Sequence, residues 1–244
     1  MAKVTKKQFI LDTAPPAPSF EGFPAEAFKF LHGLKKNNNK EWFEAHRSDY
    51  ENFVREPSKA LVATMADIIK EEGLPLIADS KRSLFRINRD IRFSKDKSPY
   101  KTHLGIVFPI QGMKEDEWTG FYIGMEPKGT NDIHTYIGGG VHMPSSPYLK
   151  RIRARIASDH KSLEKIVRDK EFLKNFPNGM TGDSLTRPPK GFEVDHPAIN
   201  YLKMKEYVFG SSLSKSDLMS PKLPDLIAKK MAASIGFLRY FAKP

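Results

Sequence analysis

Near residue 84 the spacing of apolar residues changes from every third or fourth position to every second. Side chains three or four apart share one face of a helix, and alternate side chains share one face of a strand. The change confines the chain to a fold in which a helical N-terminal third meets a sheet. Before it, Phe28, Leu31 and Leu34 follow Pro24, a residue suited to the first turn of a helix, with Phe23 just ahead. A second helix is predicted to start at Asn38, where the asparagines offer a cap and Glu41 stands three residues on; Trp42, His46, Tyr50 and Phe53 follow on one face. A third runs from Pro57 to Glu72, with Leu61, Met65 and Ile68 inward and Gly73 as its stop.

After the change, Phe85, Ile87, Ile91 and Phe93 alternate, as do Leu104, Ile106, Phe108 and Ile110, then Phe121, Ile123 and Met125, then Ile133, Thr135 and Ile137. Four extended segments joined by short connections predict a largely antiparallel sheet with the preceding helices on its apolar face. Gly138-Gly139-Gly140 reads as a chain bend. Ser146-Pro147 then starts a helix with Leu149, Ile152 and Ile156 inward, and a shorter helix is expected around Leu163 to Val167. Residues 177–198, rich in Pro and Gly, read as a loop; Lys205 to Phe209 read as extended; Ser220-Pro221 opens a last helix carrying Leu223, Leu226, Ile227, Met231, Leu238 and Phe241. The fold class is α+β, with N-terminal helices packed on the sheet and further helices in the C-terminal half. The Ala-Pro-Pro-Ala-Pro stretch makes residues 1–19 a flexible tail, leaving 20–244 as a single α+β domain.

The chain has no cysteine, which excludes disulfides, cysteine-ligated zinc, iron–sulfur clusters and thiol catalysis. Its basic N-terminus carries only Phe9, Ile10 and Leu11 as an apolar stretch, too short for a secretory core, and no run approaches the roughly 20 apolar residues of a membrane span. A cytoplasmic protein without a membrane partner is expected by elimination.

The net charge of +11 is concentrated: between Lys81 and Lys101 there are eight basic residues against two acidic ones. If residues 84–94 are one strand, Arg86, Asn88, Asp90 and Arg92 project together, with Asp90 placed to orient one arginine and leave the other for a ligand. Arg89 breaks the parity, falling on the apolar face, where it needs a partner or a bulge. Lys95, Lys97, Tyr100 and Lys101 lie in the donor-rich turn that follows, and His103 at the start of the next strand. Guanidinium, ammonium, hydroxyl and turn amides together suit a phosphate or carboxylate. The alternative is a solvated hairpin whose arginines pair with carboxylates elsewhere.

The stretches Asn37-Asn38-Asn39-Lys40-Glu41-Trp42-Phe43, Arg89-Asp90-Ile91-Arg92-Phe93-Ser94-Lys95-Asp96-Lys97-Ser98-Pro99-Tyr100-Lys101, Gly138-Gly139-Gly140 and Pro189-Lys190-Gly191-Phe192 resemble the signature of a widespread uncharacterised family, domain of unknown function 2461. The resemblance covers roughly residues 20–240. It implies that the four stretches belong together and supplies no catalytic residue.

Other patterns carry less. None of the seven histidines pairs at the spacing of a helical metal site, and His134 and His142 are separated by the glycines; each reads as a surface or satisfied histidine, with His103 the one placed for proton transfer. An acidic residue two before a lysine occurs at Asp79, Glu126 and Asp159, a pattern cheap enough to carry little; only Glu126 could join Asp90 around Mg²⁺. The glycine triplet lacks dinucleotide spacing, and no Walker lysine or Gly-x-Ser-x-Gly elbow is present. Trp42, Tyr50 and Phe53 read as core, and Lys150, Arg151, Arg153 and Arg155 as the wet face of their helix. No cofactor or metal is called for.

Three functions remain open. The first is a site for an anionic small molecule, with Arg86, Arg89, Arg92, Lys95, Lys97 and Lys101 recognising charge, Asp90 orienting an arginine, and Tyr100 and His103 hydrogen bonding or moving protons; whether turnover follows is open. The second is a nucleic-acid-binding module using the basic surface. The third is an interaction protein in which the charged side chains pair internally.

Overall fold

The computed structural model describes residues 19–113, 117–130 and 132–242. The expected tail, 1–19, lies outside them except for Ser19. The elements follow in the order α1 (Ala25–Lys36), α2 (Lys40–Ala45), α3 (Arg47–Asp49), a π-helical turn (Tyr50–Arg55), α4 (Glu56–Glu71), β1 (Leu104–Pro109), β2 (Gly120–Lys128), β3 (Asp132–Val141), α5 (Ser146–Val167), α6 (Lys170–Asn175), β4 (Met180–Thr181), α7 (Ile199–Leu202), β5 (Tyr207–Ser211), α8 (Lys215–Leu218) and α9 (Leu223–Ala242). The architecture is α+β. Among the described residues no helix is long and apolar enough to cross a membrane.

The N-terminal helices follow the predicted pattern with two informative shifts. Asn39, not Asn38, caps α2, its side chain accepting from the Trp42 N–H at 2.9 Å. The predicted second and third helices are joined by the π turn, which adds a residue to the helical repeat and rotates the inward face. Val54 is therefore buried where periodicity placed Phe53. The turn lies just before Pro57, which has no N–H to donate to the carbonyl four residues back. Later, the expected separate helix at Leu163–Val167 is continuous with α5 across a kink at Asp159.

The five strands pair antiparallel in the order β1-β2-β3-β5-β4. Alternation gives the sheet two unlike faces. Ile106, Phe108, Phe121, Ile123, Met125, Ile137, Tyr207 and Phe209 point into the core, against which α1 and α9 pack. The opposite face carries Val107, Tyr122, Tyr136 and Val208 among glycines. The expected bend at Gly138-Gly139-Gly140 is not there: all three lie inside β3. Gly138 and Gly140 are glycine because β5 runs too close for side chains, and Gly139 because the Gly120 carbonyl of β2 does; at Gly140, where φ is +119°, a Cβ would sit 2.2 Å from the Tyr207 carbonyl oxygen.

The first predicted strand, 84–94, is also absent. Leu84 makes one bridge to Ile106 and Asn88 one to Tyr100, so the segment is an irregular arm folded back on residues 99–101. The predicted alternation survives only in the middle of the segment, where Ile87, Arg89 and Ile91 are half-buried and Arg86, Asn88, Asp90 and Arg92 exposed; at its ends it is lost, Phe93 being 95% exposed and Phe85 44%. Arg89 is the cause. Its guanidinium donates to Asp96, to the Ser98 carbonyl at 3.1 Å and to Ser94 Oγ at 3.4 Å, and no flat strand can close around a charge so placed.

Asn38 ties this arm to the helices. Its amide donates to the Tyr100 carbonyl at 2.9 Å and accepts the Tyr100 N–H at 3.1 Å, and the Tyr100 ring stacks on Phe43 at 4.2 Å. Asn38→Ala leaves both backbone groups of Tyr100 without a partner and is expected to cost about 2 kcal/mol in urea unfolding. A cost below about 0.5 kcal/mol would mean that water replaces both bonds.

Candidate functional site

The glycine-rich face of the sheet holds a cavity of about 650 Å³ lined by Phe85, Val107, Trp118, Tyr122, Tyr136, Gly139, Gly140, His142, Glu206 and Val208. Strand register builds it. Val107 pairs with Tyr122, Tyr122 with Gly138 and Gly138 with Gly210, while Gly105 pairs with Gly124 and Gly124 with Tyr136. Each tyrosine lies down across neighbouring glycines. A Cβ on Gly210 would meet the Tyr136 ring at 2.3 Å, and one on Gly124 the Tyr122 ring at 2.8 Å. The floor is thus backbone and the walls are aromatic. The two tyrosine rings stand 6.0 Å apart, and Phe85, on the irregular arm, closes one side at 6.3 Å from Tyr122.

Polar groups sit at the two ends. At one, His142 follows the last residue of β3 and its Nδ1 lies 2.6 Å from Glu206 Oε2. At the other, the cross-strand pair Glu126 and His134 shares a smaller hollow with His103, Tyr122 and Tyr136. Burial pushes the Tyr136 phenol up to about 12, helped by Glu206 and Tyr122, so it is neutral at physiological pH. Its hydroxyl donates to the Phe209 carbonyl at 2.6 Å, which holds the ring flat. Burial raises Tyr122 as well, with Glu126 adding to the effect. The His103 imidazole is held below its ordinary range, first by burial and then by Lys101, against the pull of Glu126.

The basic arm divides into residues that hold it together and residues it presents. Arg89 is its internal clamp. Asp90 takes both Arg92 nitrogens, at 2.7 and 3.0 Å, which lowers the carboxyl and realises the predicted bidentate pair. Asp96 falls to about 2 through the Ser98 hydroxyl and N–H, with Arg89 adding to the effect. Lys97 donates to the Ile91 carbonyl at 3.0 Å and Lys101 to the Arg86 carbonyl at 2.9 Å. Arg86 has no carboxylate partner among the described residues, and Lys95 is exposed. Lys101 also stands over the Phe85 ring at 5.2 Å, and burial followed by Arg86 lowers its pKa. Lys101 therefore stands over Phe85, a wall of the cavity, with Arg86 near it, while His103 lines the smaller hollow it shares with Tyr122 and Tyr136. Tyr100 is core: it is 5% exposed, and among the described residues no hydrogen bond reaches its hydroxyl.

Asp90 and Glu126 lie on different elements, and among the described residues no three His, Asp or Glu side chains are placed to share a metal ion. The wet face assigned to α5 is only partly wet. Arg153 donates to the Leu202 and Met204 carbonyls at 2.8 and 3.1 Å, Arg151 pairs with Glu117 at 2.5 Å, and Arg155 lies 4.5 Å over the Tyr240 ring. Sequence reasoning missed Tyr122, Tyr136, His142, Glu206 and Val208. Their signal was parity: glycine alternates with tyrosine on the strand positions left over once the apolar residues are assigned inward.

A family model described as a conserved hypothetical protein, DUF2461, matches residues 26–240, and the chain belongs to that family. No curated protein and no solved structure matches it. Two of the signature stretches meet directly through Asn38, Phe43 and Tyr100; Gly139 and Gly140 of the glycine triplet line the cavity, and Phe192 packs elsewhere, 6.2 Å from His196.

Two outcomes are expected. Tyr100→Phe leaves stability within about 0.5 kcal/mol, whereas Tyr100→Ala costs about 3 to 5 kcal/mol in denaturant unfolding. Because the folded His103 pKa is lowered, the unfolded chain binds the proton first as pH falls. This contribution is therefore intact above the unfolded pKa of about 6.5 and is lost as pH drops toward the folded value. His103→Gln should flatten the fall in Tm between about pH 7 and pH 5; an unchanged slope would mean that His103 is not the buried group.

Proposed function

We propose that this member of the family binds a small molecule with an apolar or aromatic body and an anionic head group, the body in the glycine-floored cavity and the head at Lys101, Arg86 and His103. The carrying observation is the face the cavity lies on: six glycines, Gly105, Gly120, Gly124, Gly138, Gly140 and Gly210, share one side of a sheet whose other side is filled with large side chains, and Gly140, with Gly139, lines the cavity directly. Glycine in strand interiors costs stability, about 0.5–1 kcal/mol relative to alanine, and is retained where something must approach the backbone. Part of that approach is the tyrosines' own. The space between them suits a flat apolar group. Lys101 supports the anionic preference, being partly desolvated with a carbonyl and the Phe85 ring as partners and no carboxylate among the described residues. Lys97, Arg89 and Arg92 serve the shape of the arm.

A second reading, nucleic-acid binding, is favoured by one observation: Phe93 is 95% exposed, with Arg92 5.8 Å over its ring and Lys95 nearby, an arrangement on which an unpaired base could stack. It accounts for the arm and leaves the cavity unused.

The test uses two dyes, anionic 1-anilinonaphthalene-8-sulfonate and neutral N-phenyl-1-naphthylamine. Both are expected to bind, the anionic one about tenfold more tightly, a difference of about 1.4 kcal/mol. Val208→Trp, which fills the cavity, abolishes both; Arg86→Ala with Lys101→Ala removes only the preference. At a hundred times its Kd the anionic dye adds about 2.7 kcal/mol, roughly 5 to 10 °C in Tm. Unchanged binding in folded Val208→Trp removes the cavity reading, and salt-sensitive binding of single-stranded RNA lost in Phe93→Ala would replace it with the second.

A further inference from the structure

We propose that His142 is a general base acting on the molecule held in the cavity, with Glu206 as its positioning residue; this rests on the binding reading above. The pair is built by register. Val141 and Tyr207 are the last cross-strand partners of β3 and β5, and His142 and Glu206 are the next residues outward, both lining the cavity. Glu206 is largely enclosed, its side chain 19% accessible, while the His142 ring is 63% accessible. The carboxylate is thus the anchor and the imidazole the presented group. With Nδ1 at 2.6 Å from Glu206 Oε2, the neutral ring carries its proton on Nδ1 and leaves the Nε2 lone pair free; this tautomer is assigned from that hydrogen bond.

A second observation marks the same place. Met143, the next residue, has φ +47° and is the only non-glycine in the left-handed region among the described residues. Such backbone is uncommon for a side chain of this size and persists where the surroundings hold it. Here it turns the chain away directly after His142, leaving the ring at the end of the sheet. The charged groups around it are Glu206, Lys205 and Asp183, and the last two are engaged with each other at 3.3 Å. Tyr136, on the cavity side, is neutral with its proton committed to the Phe209 carbonyl. His142 is therefore the group at this end of the cavity that combines a carboxylate partner on one ring nitrogen with a second nitrogen left to act as a base.

A base in an apolar cavity can be read without knowing the natural substrate. In 5-nitrobenzisoxazole, a flat apolar ring system, Nε2 would take the C3 proton. The C–H pair becomes a bond of the nitrile, the N–O bond breaks with its electrons on oxygen, and 2-cyano-4-nitrophenolate leaves, followed by its absorbance. The imidazolium then returns its proton to water. The expected result is saturable turnover roughly a hundredfold above an equal concentration of free imidazole. His142→Ala abolishes it. Glu206→Gln lowers kcat while KM holds within about twofold, the split expected of a residue that orients the base without touching substrate. A wild-type rate no faster than imidazole, or one retained in His142→Ala, overturns the proposal. The naphthalene sulfonate dye separates the two failures: dye bound without turnover removes the base alone, and neither binding nor turnover removes the cavity reading and the base with it.

Discussion

The close approach of β3 and β5 is the constraint on which the rest of the structure depends. The Phe209 and Tyr207 carbonyls of β5 lie where Cβ atoms on Gly138 and Gly140 would stand, at 2.0 and 2.2 Å. The inner face can be filled because Phe209 packs against Phe121, Phe172, Phe176 and Phe237. The outer face is left with backbone, and the tyrosine rings lie down on it. One-sided packing of this kind gives an antiparallel sheet a full core and a second surface free for other use.

The irregular arm is the second organising feature, and its stability is local and polar. Arg89 with Asp96, Arg92 with Asp90, and Lys97 and Lys101 on carbonyls close it from within. Asn38 and the Phe43–Tyr100 stack fasten it to the helices. An arm fixed at both levels can carry Phe85 to the cavity wall and Lys101 to its rim. The same fixing explains why most of its cations are not spare. Exposed ion pairs such as Arg92 with Asp90 add little stability, so their contribution is shape.

Much of the fold was legible. α1, α4, β1, β2, β5 and α9 all sit where periodicity, caps and breakers placed them, because burial on one face is what those patterns encode. The failures have separate causes. At 84–94 the alternation was genuine in the letters, yet one inward arginine needed Asp96, seven residues later, and bending the chain to reach it cost the strand. At Gly138–Gly140 glycine was read as a breaker, although a partner strand can demand glycine as firmly as a turn does. At Phe53 the π turn before Pro57 moved the buried face to Val54.

The site was legible in part. Arg86, Lys101 and His103 do reach one region, and the Asp90–Arg92 pair formed as its spacing allowed. Tyr136 carried only the signal of parity, its alternation with glycine, and His142 and Glu206 are unremarkable until register brings β3 beside β5. The sequence by itself determined which residues must be buried, where helices start and stop, and that a basic cluster with its own carboxylates stands before the sheet; these are local consequences of side-chain polarity and backbone preference. The tertiary structure alone decided that Gly138 and Gly210 become cross-strand neighbours, that Glu206 meets His142, and that Tyr100 is core. Strand pairing depends on distant partners, and no pattern within one segment records which neighbour it will have.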